Sequence, residues 1–309
     1  MPRLRRNRDP SLYRHITIRT EEARLWMLPS RNMEKLLGGI VARYQEICGI
    51  SIYAYNFLSN HYHMVIKAPK RNTDVFCENV NREIARRVNW MHRRTAHFWE
   101  KPYTDQTILT EGDLLEAFLY TTTNPVHHGL VDHASKWTGL SSYSQSLSFN
   151  KRQFTFYYYS EEDPAQRAKT HHLTLSLIPE FKAVPLKKRR DHIKALIEER
   201  TQSLIKKRRE NGQGFLGMHA ILTQEPGSLP FNVAKSPKPS CYSKEPVAIR
   251  EFEVELKERE RAYDEASASF RSGNLNAEFP IHSFKPPLHR EPRLFPFTPC
   301  PDDSFKKAA

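Results

Sequence analysis

The chain opens with two segments whose apolar residues follow different periods. Residues 13–20 (YRHITIRT) alternate apolar and polar side chains, which predicts a strand with one buried face. Residues 32–48 repeat apolar side chains at helical spacing, which predicts an amphipathic helix. Asn32 can cap the first turn of this helix, and Gly49 can end it because glycine readily adopts the left-handed backbone that follows many helices.

A hairpin and a second helix follow. Residues 50–57 and 61–67 (HYHMVIK) are rich in β-branched and aromatic side chains and are separated by a short connection, so we predict two antiparallel strands. Residues 73–91 again show helical spacing and predict a helix with a buried apolar face. Residues 96–109 predict a pair of strands interrupted at Pro102, since proline cannot donate to a strand ladder.

A short helix is the last predicted element of this region. Its first turn is the segment DLLE at 113–116, which resembles a capping box. We expect it to end near Asn124, because Asn124 precedes Pro125 and the residue before proline disfavours helix. The predicted order is β-α-β-β-α-β, with one optional extra strand, and then this helix. Two β-α-β units around an antiparallel sheet indicate an α+β fold of the ferredoxin-like, split β-α-β type.

The second half of the chain has a different character. Residues 154–159 (FTFYYY) predict a strand or an apolar link. Residues 185–211 and 248–266 predict helices, and the first of these is strongly basic. From about residue 280 the chain is rich in proline and lacks a periodic pattern, so we expect an extended tail.

Length and charge suggest two domains and a polyanionic partner. The 309 residues correspond to about two domains by the usual size of a domain. We place a ferredoxin-like domain at residues 1–150 and a mainly helical, basic accessory region at residues 151–309. Lysine and arginine number 48 against 35 aspartate and glutamate, so the net charge is +13 and nucleic acid is a fitting partner.

Other classes of protein are disfavoured. No stretch approaches the roughly 18 apolar residues of a membrane span, so we expect no membrane association. The first ten residues carry four arginines without a following apolar segment, unlike a secretory signal. The four cysteines are scattered, which argues against a disulfide scaffold or a zinc site and favours a cytoplasmic protein.

A pair of histidines is the first candidate for chemistry. His61 and His63 are two residues apart in a predicted strand, so both side chains lie on one face and can bind one metal ion. Taken alone, such a pair is more often a solvated polar face than a metal site. We expect the adjacent histidines elsewhere to lie at the surface, because no cysteine or carboxylate stands at ligand spacing from them. They are His127, His128, His171 and His172.

Tyr120 is the second candidate. The apolar stripe of its predicted helix consists of Leu114, Leu115, Phe118 and Leu119. At about 100° per residue, Tyr120 points away from that stripe, toward the side where Asn124 lies one turn later. An exposed surface tyrosine is the simpler interpretation. In a functional site, its phenolic oxygen would be a nucleophile for phosphorus if a cation stabilised the developing charge.

Two motifs taken together favour the functional interpretation. Residues 55–66 (YNFLSNHYHMVI) resemble the signature of the single-tyrosine HUH transposases, in which a hydrophobic residue separates two histidines. Residues 120–131 (YTTTNPVHHGLV) resemble the tyrosine helix of the REP-associated tyrosine transposases, a branch related to the smallest insertion-sequence transposases. Further pieces stand in the family's order within residues 10–145. They are HIT at 15–17 with Arg19, Phe98, Trp137 and SSY at 141–143.

The resemblance implies a site and a reaction. His61 and His63 would bind a divalent metal, Mg²⁺ or Mn²⁺, with Asn124 as the third ligand. Tyr120 would attack a DNA phosphate, form a 5′-phosphotyrosine and release a 3′-hydroxyl, with no nucleotide cofactor. The protein would thus nick and rejoin single-stranded DNA that contains hairpins, as a monomer or a homodimer. Tyr62 is bulkier than the aliphatic residue usual between the histidines, but the implied ligands and nucleophile are all present.

Clustered arginines are candidate DNA contacts, because contacts to phosphate supply most of the sequence-independent affinity for DNA. For any one cluster, a solvated helix face is an equally good interpretation. The candidates are Arg3, Arg5, Arg6 and Arg8 in an N-terminal arm, Arg19 in the first strand, and Arg86, Arg87, Arg93 and Arg94 in and after the second helix. The basic helix adds the runs 187–190 and 206–209.

Two other functions stay open at this point. The protein could be a regulatory protein that binds hairpin DNA without cutting it. It could also be a metal-dependent hydrolase that uses the histidine pair with water. The first would form no covalent adduct with DNA, and the second would keep its activity in Tyr120→Phe.

Overall fold

The computed structural model describes residues 7–158, 167–230 and 240–285. In these ranges the strands are β1 (Tyr13–Arg19), β2 (Ser51–Phe57), β3 (His61–Lys67), β4 (Thr104–Ile108), β5 (Arg152–Tyr157), β6 (Ala168–Leu173) and β7 (Cys241–Tyr242). The helices are α1 (Arg31–Cys48), α2 (Thr73–Met91), α3 (Glu111–Thr122), α4 (Asn124–His127), α5 (Tyr143–Ser148), α6 (Pro179–Ala183), α7 (Leu186–Glu210), α8 (Met218–Leu222) and α9 (Pro246–Arg271). None of these described helices is both long and apolar enough to cross a membrane.

The main sheet has the strand order β2-β3-β1-β4-β7. Strand β1 pairs antiparallel with β3 and β4, and β2 pairs antiparallel with β3, so the first four strands form a split β-α-β arrangement. The predicted ferredoxin-like α+β fold with an antiparallel sheet is therefore confirmed. Strand β7 pairs parallel to β4 at the outer edge, and this fifth strand is an addition that we did not predict.

Strand β3 shows how the two faces of the sheet differ. Tyr62 and Met64 join the larger apolar cluster, which includes the buried faces of α1 and α2. Val65 joins a second apolar cluster with residues of α3, α6 and α7. Because side chains alternate along a strand, His61 and His63 lie on the same face as Val65. The sheet therefore presents both histidines toward helix α3.

Helix α1 begins at a different cap from the one predicted. The Ser30 hydroxyl, rather than the Asn32 side chain, accepts a hydrogen bond from the backbone N–H of Met33 at 3.1 Å. The helix ends where predicted, at Gly49, whose φ of 66° lies in the left-handed region. Helix α2 has the predicted bounds.

Helix α3 begins earlier than predicted and is followed by a further helical turn. Its capping box is formed by Thr110 and Asp113, which exchange side-chain and backbone hydrogen bonds. After Thr123 the chain continues as α4, with Pro125 in its first turn, where a missing N–H is tolerated. Helix α3 therefore ends close to Asn124, as predicted, and the short helix α4 that follows it was not predicted.

The segment before α3 contains one strand instead of the predicted pair. Strand β4 begins after Pro102, and the residues before it contribute an isolated bridge between Thr20 and Trp99. The rings of Phe98 and Trp99 contact each other with centroids 4.6 Å apart, and Phe98 is buried. Aromatic packing and this single backbone bridge, rather than an extended strand ladder, hold this stretch against the sheet.

Strands β5 and β6 form a separate two-stranded sheet that packs on α1. Gly38 and Gly39 allow the close approach. A Cβ on Gly38 would lie 2.3 Å from the Phe154 ring, and one on Gly39 would lie 2.6 Å from the carbonyl oxygen of Thr155. Phe154 and Phe156 join the same apolar cluster as α1 and α2. The region after residue 150 thus begins with a hairpin and shares a core with the preceding residues; the domain division at 150 stays a prediction.

Two long helices of the second half were predicted. Helix α7 closely matches the predicted 185–211, and α9 extends beyond the predicted 248–266. Helix α7 packs against α3, α4 and α5, with Ile193 and Ile197 buried in the second apolar cluster. The extended tail expected from about residue 280 lies mostly outside the described residues.

Candidate active site

His61 lies beside His63 on β3, with the two ring centroids 5.1 Å apart. His61 Nδ1 is 2.6 Å from Asn60 Oδ1. Asn60 Nδ2 donates to the carbonyl of Ala23 at 2.7 Å, so Asn60 presents its oxygen to the imidazole. Since that oxygen only accepts, His61 carries its proton on Nδ1 and keeps the lone pair of Nε2.

His63 begins a row of polar side chains across three neighbouring strands. His63 Nδ1 lies 3.1 Å from His15 Nε2, and His15 Nδ1 lies 3.0 Å from Gln106 Oε1. The planes of the two imidazoles differ by 9°. His15 stands on β1 and Gln106 on β4, and all three side chains are buried. The row therefore crosses the sheet from β3 to β4 and consists of buried side chains.

Helix α3 places Tyr120 over this row. The buried Phe118 holds the apolar side of the helix in the second cluster, and Tyr120 projects from the other side. The Tyr120 ring lies 5.3 Å from the His63 ring and 5.9 Å from the His15 ring, nearly perpendicular to both. The structure therefore brings the phenol and the histidine pair together from two separate parts of the chain.

Two more histidines reach the site from the turn after Tyr120. The His127 ring lies 5.3 Å from the Tyr120 ring, and the His128 ring lies 5.1 Å from the His61 ring. One ring nitrogen each of His61, His63 and His128 lies within 4.8 Å of the others, and we call these three residues the histidine cluster. We expected His128 to be a surface residue without a site. It is exposed, but its imidazole faces the pair, which corrects that expectation.

Asn124 lies at the start of α4 and is fully buried. Its amide oxygen and nitrogen make no hydrogen bond of good geometry among the described residues, although the amide lies close enough to Tyr120 to lower the pKa of that phenol. A buried amide without good hydrogen bonds is unfavourable unless a ligand or water satisfies it. Its predicted role as third metal ligand stays a prediction, beside the nitrogen that His128 offers.

Burial sets the protonation states of the site. It lowers the pKa of His61 and His63 well below the usual value, and neighbouring cationic groups and imidazoles lower it further. Desolvation of its ring among the neighbouring side chains lowers the pKa of His128 to about 4, although part of this side chain is exposed. The cluster is therefore neutral near pH 7, which is the form of imidazole that binds metals. Burial raises the pKa of Tyr120, against a smaller lowering by Asn124, so the phenol keeps its proton.

A divalent metal fits this arrangement. The histidine cluster offers three neutral imidazoles at ligand separation. In metal sites, the second nitrogen of a histidine ligand is usually held by another polar group, which fixes the ring and its tautomer. His61 and His63 both meet this condition through Nδ1.

Arg87 does not lie where a DNA contact was predicted. Its guanidinium is buried, bonds to Glu83 at 2.8 Å and donates to the carbonyl of Tyr157 at 2.7 Å. It also lies over the Phe156 ring. Arg87 therefore ties α2 to β5, which corrects its assignment to DNA. Arg86 is mostly covered and pairs with the same Glu83 at 3.0 Å.

Three other predicted contacts differ in accessibility. Arg19 forms an ion pair with Glu100 at 2.6 Å and is partly exposed. Arg94 lies over the Trp26 ring, with its guanidinium carbon 3.9 Å from the ring centroid. Arg93 follows α2 and is exposed. Among these three, Arg93 is best placed to meet a phosphate.

The N-terminal arm is described from residue 7 onward. Arg8 forms an ion pair with Asp74 in the first turn of α2, which holds this part of the chain against the helix. The other predicted contacts of the arm lie outside the described residues, and their role stays a prediction. They are Arg3, Arg5 and Arg6.

Three residues of the site had no role assigned from the sequence: His15, Gln106 and Tyr242. Strand β7 places the Tyr242 ring 5.1 Å from the His15 ring and 6.5 Å from the Tyr120 ring. The alternation in β1 was an available signal for His15, because it puts this residue on the polar face of the strand. A two-residue strand has no period, so nothing near Tyr242 indicated its place.

Residues 10–114 match the model of the family described as "Transposase IS200 like". This part of the chain is therefore similar to the IS200-like transposases, in agreement with the resemblance found in the sequence motifs. The match ends before Tyr120, so the tyrosine is located by geometry and by its motif.

Solved structures that are similar to this chain include two transposases. A REP-associated tyrosine transposase bound to a REP hairpin is 17% identical, with 48% of this chain and 86% of that chain covered and a TM-score of 0.42. A putative transposase from Deinococcus radiodurans R1 is also 17% identical, with 34% and 85% covered and a TM-score of 0.28. No curated protein matches the sequence.

Proposed function

We propose that this protein nicks and rejoins single-stranded, hairpin-containing DNA in a metal-dependent reaction with Tyr120 as the nucleophile. The observation that carries the proposal is the position of Tyr120, whose ring lies 5.3 Å from that of His63. A nucleophile and a set of metal ligands from separate segments thus face the same space. The similarity of residues 10–114 to the IS200-like transposases supports a reaction of the transposase type.

The metal would be held by His61 and His63 through Nε2, because Nδ1 of each ring already faces another side chain. The third ligand would come from the turn after α3, where His128 and Asn124 both lie. Of the two expected metals, Mn²⁺ accepts imidazole nitrogen more readily than Mg²⁺, which prefers oxygen. When bound, the ion would polarise the scissile phosphate and offset its developing charge.

Tyr120 supplies the attacking oxygen. Its Oη bonds to phosphorus, and the bond between phosphorus and the 3′ oxygen breaks. The phenolic proton passes to solvent, and the departing 3′ oxygen takes up a proton to become a hydroxyl. Because burial raises the pKa of Tyr120, ionisation needs nearby groups that favour the anion. Asn124 and then Arg200 of α7 act in that direction.

The covalent bond to Tyr120 allows the strand to be rejoined. It retains the phosphodiester as a reactive ester, so a 3′-hydroxyl can attack the phosphotyrosine and restore a DNA bond without a nucleotide cofactor. The reverse step uses the same residues in the same places, because bond formation and cleavage pass through the same transition state.

Helix α7 offers a basic surface beside the nucleophile. Arg200 on this helix lies 3.6 Å from Glu116, one turn before Tyr120. The exposed cations of the helix are Lys187, Lys188, Arg190, Lys194, Lys206, Lys207 and Arg209. We propose that the DNA backbone follows this helix to the site, since phosphate contacts by Lys and Arg supply affinity without regard to sequence.

The test is a cleavage assay with the full chain, end-labelled single-stranded hairpin oligonucleotides and Mn²⁺. We expect label to migrate with the protein on a denaturing gel, and we expect EDTA or Tyr120→Phe to abolish this adduct. Tyr157→Phe removes an exposed hydroxyl on β5 and is the matched control. An adduct in Tyr120→Phe would contradict the nucleophile. Cleavage without any adduct would favour a hydrolase, and binding without cleavage would favour a regulatory protein.

A further inference from the structure

We propose that His15 and Gln106 are positioning residues that keep the proton of His63 on Nδ1 and so reserve Nε2 for the metal. The inference rests on the metal site of the proposed function and adds residues to which that function assigns no role. The row Gln106–His15–His63 carries it, with contacts of 3.0 Å and 3.1 Å between buried side chains.

The orientation of the Gln106 amide determines which atoms donate and which accept along the row of hydrogen bonds. Its Nε2 donates to the backbone carbonyl of Cys241 in a long hydrogen bond of 3.5 Å. The opposite orientation would place the amide oxygen against that carbonyl oxygen, with no proton between them. Oε1 therefore faces His15, and because an amide oxygen only accepts, His15 carries its proton on Nδ1.

The proton position of His15 then decides that of His63. A neutral imidazole with its proton on Nδ1 has a lone pair on Nε2. His15 Nε2 must therefore accept, and His63 Nδ1 must donate across the 3.1 Å contact. The other tautomer of His63 would set two lone pairs against each other inside a buried site. His63 is left with an unprotonated Nε2, which is the atom that a metal requires.

The row begins outside the part of the chain that matches the transposase family. Cys241 lies in β7, and its backbone pairs with Thr107 of β4, next to Gln106. A backbone carbonyl from the second half of the chain thereby orients an amide on the sheet and, through it, two imidazoles. His61 is independent of this row, because Asn60 holds its Nδ1.

Nuclear magnetic resonance of the histidine nitrogens measures the tautomer of His63 directly. The full chain, labelled with ¹⁵N-histidine and free of metal, is examined by long-range ¹H–¹⁵N correlation, which distinguishes Nδ1–H from Nε2–H. We expect neutral His63 with its proton on Nδ1. A proton on Nε2 of His63 in the unaltered protein would overturn the inference, and this readout needs neither metal nor activity.

Two variants extend the test. Gln106→Leu removes the acceptor with little change in volume, so His15 is free to change tautomer and His63 is expected to follow. Its Mn²⁺ affinity should fall about 10- to 100-fold, the usual effect of losing a partner of a metal ligand. Gln106→Glu keeps an acceptor oxygen and should retain the His63 tautomer. An unchanged tautomer and unchanged Mn²⁺ affinity in folded Gln106→Leu would contradict the proposal.

The same samples separate this inference from the proposed function. If the unaltered protein shows Nδ1–H on His63 but binds no Mn²⁺, the metal function fails and the row stands. If it binds Mn²⁺ but His63 carries its proton on Nε2 before metal is added, the row fails and the metal function stands. Melting temperatures show whether each variant is folded. If Gln106→Leu does not fold, the His63 tautomer in the spectrum of the unaltered protein tests the inference by itself.

Discussion

Two groups of histidines in this protein meet different partners. The histidine cluster, with two members on β3 and His128 at the end of α4, has three ring nitrogens close together, and no carboxylate of the described residues belongs to it. On the other side of α1, His171 and His172 of β6 both face Glu46. His171 Nδ1 lies 2.6 Å from one carboxylate oxygen, and the backbone N–H of His172 donates to the other at 2.7 Å.

The two groups of histidines differ in whether the protein itself supplies a hydrogen-bonding partner of opposite charge. Burial by itself raises the pKa of Glu46, but the hydrogen bonds from His171 and the His172 backbone outweigh it and lower that pKa. In this second group, a carboxylate binds both histidine residues and links α1 to the hairpin. The histidine cluster keeps neutral imidazoles with unused lone pairs, so it can take a cation. Adjacent histidines in a sequence can therefore serve binding or stability, depending on what the fold places opposite them.

The largest expected effect separates these two groups. His63→Ala should abolish cleavage and weaken Mn²⁺ binding by at least about 100-fold, since losing a ligand exceeds the effect of losing its outer partner. His171→Ala, the matched control, should leave both unchanged. Electron paramagnetic resonance of Mn²⁺ and initial cleavage rates provide the measurements. Equal losses in the two variants would remove the distinction.

The third ligand sharpens the picture of the cluster. We expect His128→Ala to weaken Mn²⁺ binding about 10-fold or more, because its nitrogen lies at ligand separation from those of the pair. Asn124→Ala is measured beside it by calorimetric titration with Mn²⁺. A loss in Asn124→Ala with no change in His128→Ala would assign the position to Asn124, as the sequence resemblance implies.

Positive charges on α7 should contribute more to DNA binding than those near the hairpin of β5 and β6. Lys207→Glu on α7 should weaken binding of single-stranded DNA and lower the slope of log affinity against log salt by about 0.7, the value for one phosphate contact. Lys151→Glu makes the same charge change at an exposed position near His172 and should have a smaller effect. Fluorescence anisotropy over a salt series measures both. Equal slopes for the two variants would argue against a DNA path along α7.

The smallest expected effect concerns stability. Glu46→Gln should lower the free energy of unfolding by about 0.5 kcal/mol at pH 7 without slowing cleavage, because solvent screens the hydrogen bonds of this partly exposed carboxylate. The folded-state pKa of Glu46 lies below its ordinary 4.5. The stabilisation is therefore present above pH 4.5 and is lost as the pH falls through the folded-state pKa.

Chemical denaturation at several pH values tests this sign. The difference between the unaltered protein and Glu46→Gln should narrow as the solution is acidified below pH 4.5. A difference that grows in acid would mean that Glu46 is not held as a carboxylate by its hydrogen bonds.

Local patterns predicted most of the elements because each depends on the period of its own residues. The strand at 61–67 and the helix at 73–91 have the predicted bounds, and the alternation in the strand places His61 and His63 on one face. The N-terminal cap of α1 could not be located in this way, because Ser30 and Asn32 are both suitable capping residues and only the structure shows that Ser30 makes the hydrogen bond. The features that local patterns did not predict, such as strand β7, depend on pairing between segments that are distant in the sequence.

The candidate site divides in the same way. The ligand pair and Tyr120 could be located from motifs and periodicity, whereas His128 and Gln106 depend on which segments meet in space. Strand β7 is the extreme case, because its two residues carry no pattern and pair with β4 across more than a hundred intervening positions. The hydrogen bond from Gln106 to the Cys241 carbonyl of this strand could therefore be found only in the structure.

The most direct test of the account is to map the covalent adduct. The full chain is incubated with Mn²⁺ and a single-stranded hairpin oligonucleotide, digested with protease and nuclease, and analysed by tandem mass spectrometry. The account predicts a nucleotide linked through its 5′ phosphate to the peptide that contains Tyr120. A nucleotide on any other residue, such as Tyr242, or cleaved DNA with no modified peptide, would contradict it.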